Sequence, residues 1–399
     1  MRIGMMADIY KTQVSGVTHS IALSKQWMEK QGHEVYIFTF GDAEVIDTEK
    51  NIVRTIGVPV VDTGIYLNLR YNHQARKILF SMDITHVHHP FLSGSLAMHY
   101  CVPRNIPIVF TNHTRYDLLA QVYLPAIPET IGEAALKAYL SPFYRACNLV
   151  IVPSPRMRNV LEDHFGSVSP IEVIPNGVDL TPFKADVQPI DRSAFGFSID
   201  DVICIYVGRL SPEKNISFLL RSFYGVAMTD DRARLLVVGD GPERENLEAQ
   251  VRHMNISNKV HFAGMIAYQD VPAYLSASDI FVTASRSETF GLSTVEAMAA
   301  GLPVLGLDAV GTGDIVEDGI SGFLSVDDLA VFTAKLMYLC TNHSLCKEMG
   351  MKARQASERY DIQTTTDILL SHYERLIENA KSIRRGPRYT LARLWDRIK

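Results

Sequence analysis

A chain of 399 residues, 47% of them hydrophobic, is long enough for two domains with cores of their own. A formal net charge of -5, with no basic excess in the body of the chain, argues against a nucleic-acid partner. Five cysteines (Cys101, Cys147, Cys204, Cys340 and Cys346) lie far apart with no Cys-x-x-Cys pair. That argues against a disulfide frame or a zinc site and fits reduced, buried thiols in a cytoplasmic protein. The N-terminus turns polar at Asp8, too soon for a signal peptide, and no apolar run approaches the roughly 18 residues needed to span a bilayer. Any membrane contact is expected to be peripheral.

In chain order, Ile3–Met6 reads as a first strand, followed by a helical stretch over Val17–Gln31 and a second strand over Glu34–Phe40. Ile84–Val87, Ile108–Thr111 and Leu149–Val152 continue the series. Apolar runs of four to six residues separated by amphipathic helices predict parallel sheets covered on both faces. The pattern restarts with strands over Val202–Val207, Arg234–Val238, Val260–Phe262, Ile280–Thr283 and Pro303–Leu307. Between them lie helices over Ile216–Met228, Arg244–Met254, Val271–Ala277 and Thr294–Ala300. The turn signals of Ile174-Pro175-Asn176-Gly177-Val178-Asp179 mark the break, and Leu180–Ser198 reads as an irregular linker. The expected architecture is α/β, with two doubly wound domains at 1–178 and 179–360. Residues 361–380 return to the first, and 381–399 form a basic tail.

Ligands of open α/β sheets sit beyond the carboxyl ends of the strands, so the candidate residues are those that follow each strand. After the first strand, Gly16 stands where a helix begins, either to let backbone approach an anion or as a plain turn glycine. After Val207, Gly208-Arg209-Leu210-Ser211-Pro212-Glu213-Lys214-Asn215 carries two cations five residues apart. Arg209 offers a planar fork and Lys214 a point charge, together suited to a diphosphate. After Thr283, Ser285-Arg286-Ser287-Glu288-Thr289-Phe290-Gly291-Leu292 leads into an Ala-rich helix holding Glu296. A carboxylate among Val295, Ala297 and Met298 needs partners, either sugar and ribose hydroxyls or an internal arginine. His113 follows the strand ending at Thr111, in a position equally open to a structural and a catalytic role. His86, His88 and His89 look metal-like, but their alternation fits a strand end and no fourth ligand is evident. No Asp-x-Asp triplet occurs, and neither Gly239-Asp240-Gly241 nor Gly311-Thr312-Gly313 completes a dinucleotide fingerprint.

These motifs together resemble the retaining glycosyltransferases of family 4 (group 1), with the two-domain GT-B fold. The resemblance covers nearly the whole chain. It rests on Glu288 and Glu296 within Glu-Thr-Phe-Gly-Leu-Ser-Thr-Val-Glu, on Val207–Asn215, on Val237–Pro242 and on Ile174–Asp179. It implies two Rossmann-like domains facing a central cleft, and a hexosyl transfer from a nucleotide-sugar donor with no essential metal or other cofactor. It further implies that Arg209 and Lys214 hold the donor diphosphate while Gly16 lets the N-terminal domain close over it. Glu288 would take the sugar hydroxyls, Glu296 the ribose, and Gly264, Met265 and Ile266 the base. Phe290, Gly291 and Leu292 would complete the donor site, and His113 would act near the anomeric centre. Two positions depart from the family pattern: Ser15 replaces a usual glycine and Asp314 a usual glutamate.

His113-Thr114-Arg115-Tyr116, with Tyr123 downstream, looks like the corresponding segment of diacylglycerol glucosyltransferases. It makes His113, Tyr116 and Tyr123 the expected acceptor residues, and Leu124–Pro128 reads either as a lipid wall or as core. From Lys381 to Lys399 there are seven Lys/Arg and one acid, Asp396, with Leu391, Leu394, Trp395 and Ile398 on one helical face. Such a tail suits either an anionic membrane surface, expected to be the inner face of the plasma membrane, or a solvated segment packing on the first domain. The leading expectation is glucose transfer from UDP-glucose to a membrane lipid such as diacylglycerol. The alternatives are the same chemistry on a soluble or polyprenyl-linked glycan, for example from GDP-mannose, or a non-catalytic sugar-nucleotide binder. The sequence leaves the oligomeric state open.

Overall fold

The computed structural model describes residues 1–11, 16–42, 47–60, 66–116, 118, 129–166, 169–185 and 187–385. The chain divides into two compact units. One holds Met1–Gly177 and the chain from Ile362 onward, and the other holds Val178–Asp361.

The first unit is built on a seven-stranded, all-parallel sheet. Its strands are β1 (Arg2–Met6), β2 (Glu34–Gly41), β3 (Ile52–Ile56), β6 (Ile84–Val87), β7 (Ile108–Thr111), β8 (Leu149–Val152) and β9 (Ile171–Val173). The two-residue strands β4 (Val58–Pro59) and β5 (Tyr66–Leu67) pair separately as an antiparallel ribbon. The spatial order β3-β2-β1-β6-β7-β8-β9 is doubly wound, with its reversal between β1 and β6. The central strands β6, β7 and β8 are buried throughout, including Thr85, His86 and Thr111 among their apolar residues. β3 and β9, at the two edges, are mostly half-buried and carry Arg54 and Glu172, which hid them from a search for apolar runs. The long helix Ile362–Arg385 returns to this unit and packs Leu369, Leu370, Tyr373 and Ile377 into the same core as Ile3, Ile21 and Ile84.

The second unit repeats the plan with six parallel strands: β10 (Val202–Val207), β11 (Ala233–Val238), β12 (Val260–Gly264), β13 (Ile280–Thr283), β14 (Val304–Leu307) and β15 (Gly322–Ser325). Their order is β12-β11-β10-β13-β14-β15, so the reversal falls between β10 and β13. The expectation of a linker over Leu180–Ser198 is corrected here. Leu180, Phe183, Phe195 and Phe197 are all buried in this unit's core beside Ile203, Ile205 and Phe281, and the segment includes short helical turns at Thr181–Lys184 and Arg192–Phe195. Its polar residues had masked four widely spaced apolar anchors. The five cysteines are all buried and unpaired by disulfide, with Cys204 and Cys340 sulfurs 3.7 Å apart.

Candidate active site

In the second unit the reversal point brings together the segments after β10 and β13. Lys214 lies in a short turn, Pro212–Lys214, and its Nζ donates to Glu288 Oε1 at 2.6 Å. The two side chains are each about a quarter exposed, so the pair is desolvated on one side and open on the other. Neighbouring contacts fix both loops. Asn215, in the left-handed region at φ 56°, donates through Nδ2 to the Ala284 carbonyl at 3.2 Å, and Ser287 Oγ donates to the Glu213 carbonyl at 3.4 Å. A Cβ at Gly311 would stand 2.7 Å from Glu288 Cβ, and Gly311 has φ +86°, so only glycine lets the two loops approach this closely. Asp314 accepts from the Gly311 N–H at 3.0 Å and holds that turn in place.

Arg209 is exposed, and its guanidinium has no hydrogen-bond or ion-pair partner among the described residues. The helix Leu292–Ala299 starts at Gly291, φ +94°, with no side-chain cap, which leaves its first N–H groups available to an anion. A free cation, a cation paired with a carboxylate and an uncapped helix start on one switch point form an arrangement suited to a polyanion carrying hydroxyls.

Glu296 is buried, at 6% exposure, on the inner side of that helix. Burial pushes its carboxyl up to about 7, and a hydrogen bond from Tyr268 acts against the rise. Tyr268 Oη donates to Glu296 Oε1 at 2.9 Å. The internal arginine that could have neutralised Glu296 is not found among the described residues. Tyr268 itself was not foreseen; nothing in its local sequence signals a contact 28 residues downstream. Gly264 ends β12 at φ +74°, followed by Met265, 67% exposed, and half-buried Ile266. The Phe290 ring is buried against Tyr360 at 5.2 Å between centroids, which leaves its backbone as the part that can face a ligand.

In the first unit, Gly16 is exposed and opens the helix Gly16–Lys30. Asp8, just past β1, accepts from the Ser93 N–H at 2.7 Å and the Leu92 N–H at 3.3 Å, capping the helix Leu92–Cys101 in place of Phe91. His86 in β6, His88 just after it and His113 after β7 form one stack. His86 and His88 rings lie 4.2 Å apart, and His88 Nδ1 meets His113 Nε2 at 3.0 Å. Tyr373 Oη meets His86 Nδ1 at 2.5 Å, and His86 Nε2 meets Thr111 Oγ1 at 2.7 Å. Burial pushes His86 and His113 down to about 3, and His88 falls well below its ordinary value for the same reason, so the cluster is neutral. His89 stands apart from this stack, and its Nδ1 accepts from the Asp8 N–H at 3.2 Å. A cavity lined by His86, His88, His113, Asn176 and Thr365 adjoins them. Tyr116 is buried and borders a recess of about 360 Å³ together with Glu133, Lys137 and His164. Tyr123, Ser15, Leu124–Pro128 and the tail from Gly386 lie outside the described residues.

Comparison with known proteins agrees with this layout. Residues 14–182 match the family described as Glycosyltransferase Family 4, and residues 187–356 match Glycosyl transferases group 1. The chain is 33% identical over 336 residues to an alpha-monoglucosyldiacylglycerol synthase of Streptococcus pneumoniae, covering 81% of this chain and 75% of the relative. A synthase of the same name from Acholeplasma laidlawii is 29% identical, with coverage of 81% and 84%. Among solved structures, sucrose-phosphate synthase from Thermosynechococcus elongatus superposes with a TM-score of 0.76 at 20% identity, covering 95% of this chain and 99% of that one. Anabaena HepE in complex with UDP gives 0.75 at 19% identity, covering 94% and 100%. No helix among the described residues is long and apolar enough to cross a membrane. Two doubly wound units, a polyanion-ready switch point and these relatives lead to one assignment: the chain belongs to the family 4, group 1 glycosyltransferases of GT-B fold, enzymes that transfer a sugar.

Proposed function

We propose that the enzyme transfers glucose from UDP-glucose to a diacylglycerol-type membrane lipid, with retention of the anomeric configuration. The observation that carries the donor reading is the Lys214–Glu288 pair at the reversal point of the second sheet, with Arg209 unpaired beside it in sequence. In this reading Lys214 and Arg209 bind the diphosphate and stabilise the charge that develops on it as the sugar leaves, a preorganised electrostatic contribution. Glu288 accepts from hydroxyls of the transferred sugar and Glu296 from the ribose. Backbone at Gly264–Ile266 meets the base, and backbone at Phe290–Leu292 faces the donor. The departing phosphate takes the acceptor proton on the same face of the sugar. The two cations supply the positive charge, so no metal is needed. His113 and Tyr116, with Tyr123, are assigned to the acceptor.

The lipid acceptor is supported by the two monoglucosyldiacylglycerol synthases among the relatives. A soluble acceptor is the second reading, favoured by D-inositol 3-phosphate glycosyltransferases of Mycobacterium at 30% identity, of which this chain covers 64%. The test is a donor panel of UDP-glucose, UDP-galactose and GDP-mannose against diacylglycerol in anionic vesicles and against inositol phosphate. An α-glucosyl lipid formed from UDP-glucose is the expected product. A sugar delivered only to the soluble acceptor would replace the lipid reading, and another donor would replace UDP-glucose. The basic tail is proposed to hold the enzyme at the anionic surface, so removing Gly386–Lys399 should lower vesicle binding and leave turnover on detergent-dispersed lipid intact.

A further inference from the structure

We propose that Tyr268 is a positioning residue for the nucleotide, holding Glu296 so that its second carboxylate oxygen accepts from the ribose diol. Tyr268 would thereby set the discrimination between ribose and deoxyribose donors. The inference rests on the reading of Glu296 as the ribose acceptor given above.

Glu296 and Tyr268 come from different strand-to-helix segments. Glu296 is in the helix after β13, and Tyr268 opens the short turn Tyr268–Asp270 after β12. Around Glu296, the side chains of Val295, Ala297 and Met298 are fully buried, and no ion pair to it exists among the described residues. A buried carboxylate in such surroundings is costly without donors, and the Tyr268 hydroxyl at 2.9 Å is the side-chain donor it has. A phenol donating to a carboxylate is a charge-assisted bond, and it favours the ionised form, the form that accepts from a diol. Oε1 receives the tyrosine; Oε2 keeps its acceptor capacity for two hydroxyls of a ligand.

The ring of Tyr268 does not need this bond for its own placement. It stands edge-on to Phe183, with centroids 6.1 Å apart and planes at 74°, and the residue is 40% exposed. Burial raises the Tyr268 phenol above its ordinary value, so the hydroxyl stays protonated and its contact with Glu296 serves to orient the carboxylate. Residues Gly264–Ile266, just before Tyr268, are the segment assigned to the base. That continuity puts a base-contacting segment and a ribose-orienting hydroxyl within one short stretch of chain.

The experiment measures affinity of the full chain for UDP, 2′-deoxy-UDP and 3′-deoxy-UDP by calorimetry, with melting curves for each variant. The wild-type enzyme is expected to bind UDP about tenfold or more tightly than the deoxy forms, the scale of a hydrogen bond to a charged group. Tyr268→Phe keeps the ring and its packing on Phe183, and should weaken UDP about tenfold while leaving the deoxy forms nearly unchanged, so the ratio falls toward one. Phe183→Leu disturbs the ring packing but not the hydroxyl, and should lower the melting temperature while keeping the ratio. If Glu296→Gln loses the ratio but Tyr268→Phe retains it, Tyr268 is structural and the inference fails alone. If Glu296→Gln retains the ratio, the ribose reading of Glu296 fails, and this inference with it. Tighter UDP binding by Tyr268→Phe would show that the hydroxyl competes with ribose, which also overturns it.

Discussion

Replacing Glu296 by glutamine should stabilise the unliganded protein above neutral pH while weakening the nucleotide complex. Burial raises this carboxyl from 4.5 to about 7. At about 1.4 kcal/mol per tenfold change, the ionised form in the free protein costs on the order of 3 kcal/mol of folding stability. Glutamine is nearly isosteric with the neutral acid and can still accept from Tyr268, whose bond to the ionised form is already included in that shift. The net gain is about 3 kcal/mol, or about 6–12 °C in melting temperature for a domain of this size. The sign follows from proton binding. Between 4.5 and 7 the folded carboxyl binds more protons than the unfolded one, so its contribution is intact below 4.5 and lost as pH rises through 7. The variant should therefore match wild type near pH 4.5 and exceed it most above pH 7. Scanning calorimetry at a series of pH values reads the difference directly. A glutamine variant that melts below wild type at pH 8, or a gap that does not grow with pH, would refute the reasoning. On the proposed role of Glu296 as ribose acceptor, the same burial predicts that nucleotide binding tightens as pH rises through 7.

Two further predictions concern the other groups. Lys214→Ala should lower kcat about 10²- to 10³-fold, the usual loss when a preorganised charge at a developing anion is removed, with the melting temperature changed little. A folded variant of unchanged turnover would take Lys214 out of the site. In the first unit, His86 is buried and neutral with its pKa held at about 3, so the unfolded chain binds a proton there that the folded one refuses. That contribution is present above about 6.5 and lost as pH falls toward 3, on the order of 2 kcal/mol by pH 5. His86→Gln should flatten the acid limb of the stability profile measured by urea unfolding, and an unchanged limb would place acid sensitivity elsewhere.

Much of the fold was legible because parallel sheets buried on both faces leave unbroken apolar runs. β8 and β10 begin and end where those runs do, β7 and β13 run one threonine further, and β6 keeps Thr85 and His86 between two apolar ends. The edge strands β3 and β9 escaped because half-buried backbone tolerates Arg54 and Glu172. The segment after Val178 was misread for a related reason: its apolar residues are spaced irregularly and find their partners only in a core assembled from distant strands. Phe290 shows the limit of motif reading. It sits inside the most specific motif, yet its ring serves the core against Tyr360.

What the sequence determined by itself is local: strand, loop and helix succeed one another in a fixed rhythm, Arg209, Lys214, His113 and Glu288 lie in segments that follow strands, and Glu296 lies inside the helix that comes next. Which of these residues meet was decided by tertiary structure alone. The order β12-β11-β10-β13-β14-β15 places the ends of β10 and β13 side by side, and so joins Lys214 to Glu288 across 74 residues. The same packing sets Tyr268 on Glu296, and the returning C-terminal helix brings Tyr373 to His86 across 287 residues. Periodicity records which face of an element is buried, but it carries no information about which distant element covers that face. The partners of a buried carboxylate or imidazole, and with them its protonation, exist only once the sheets have assembled.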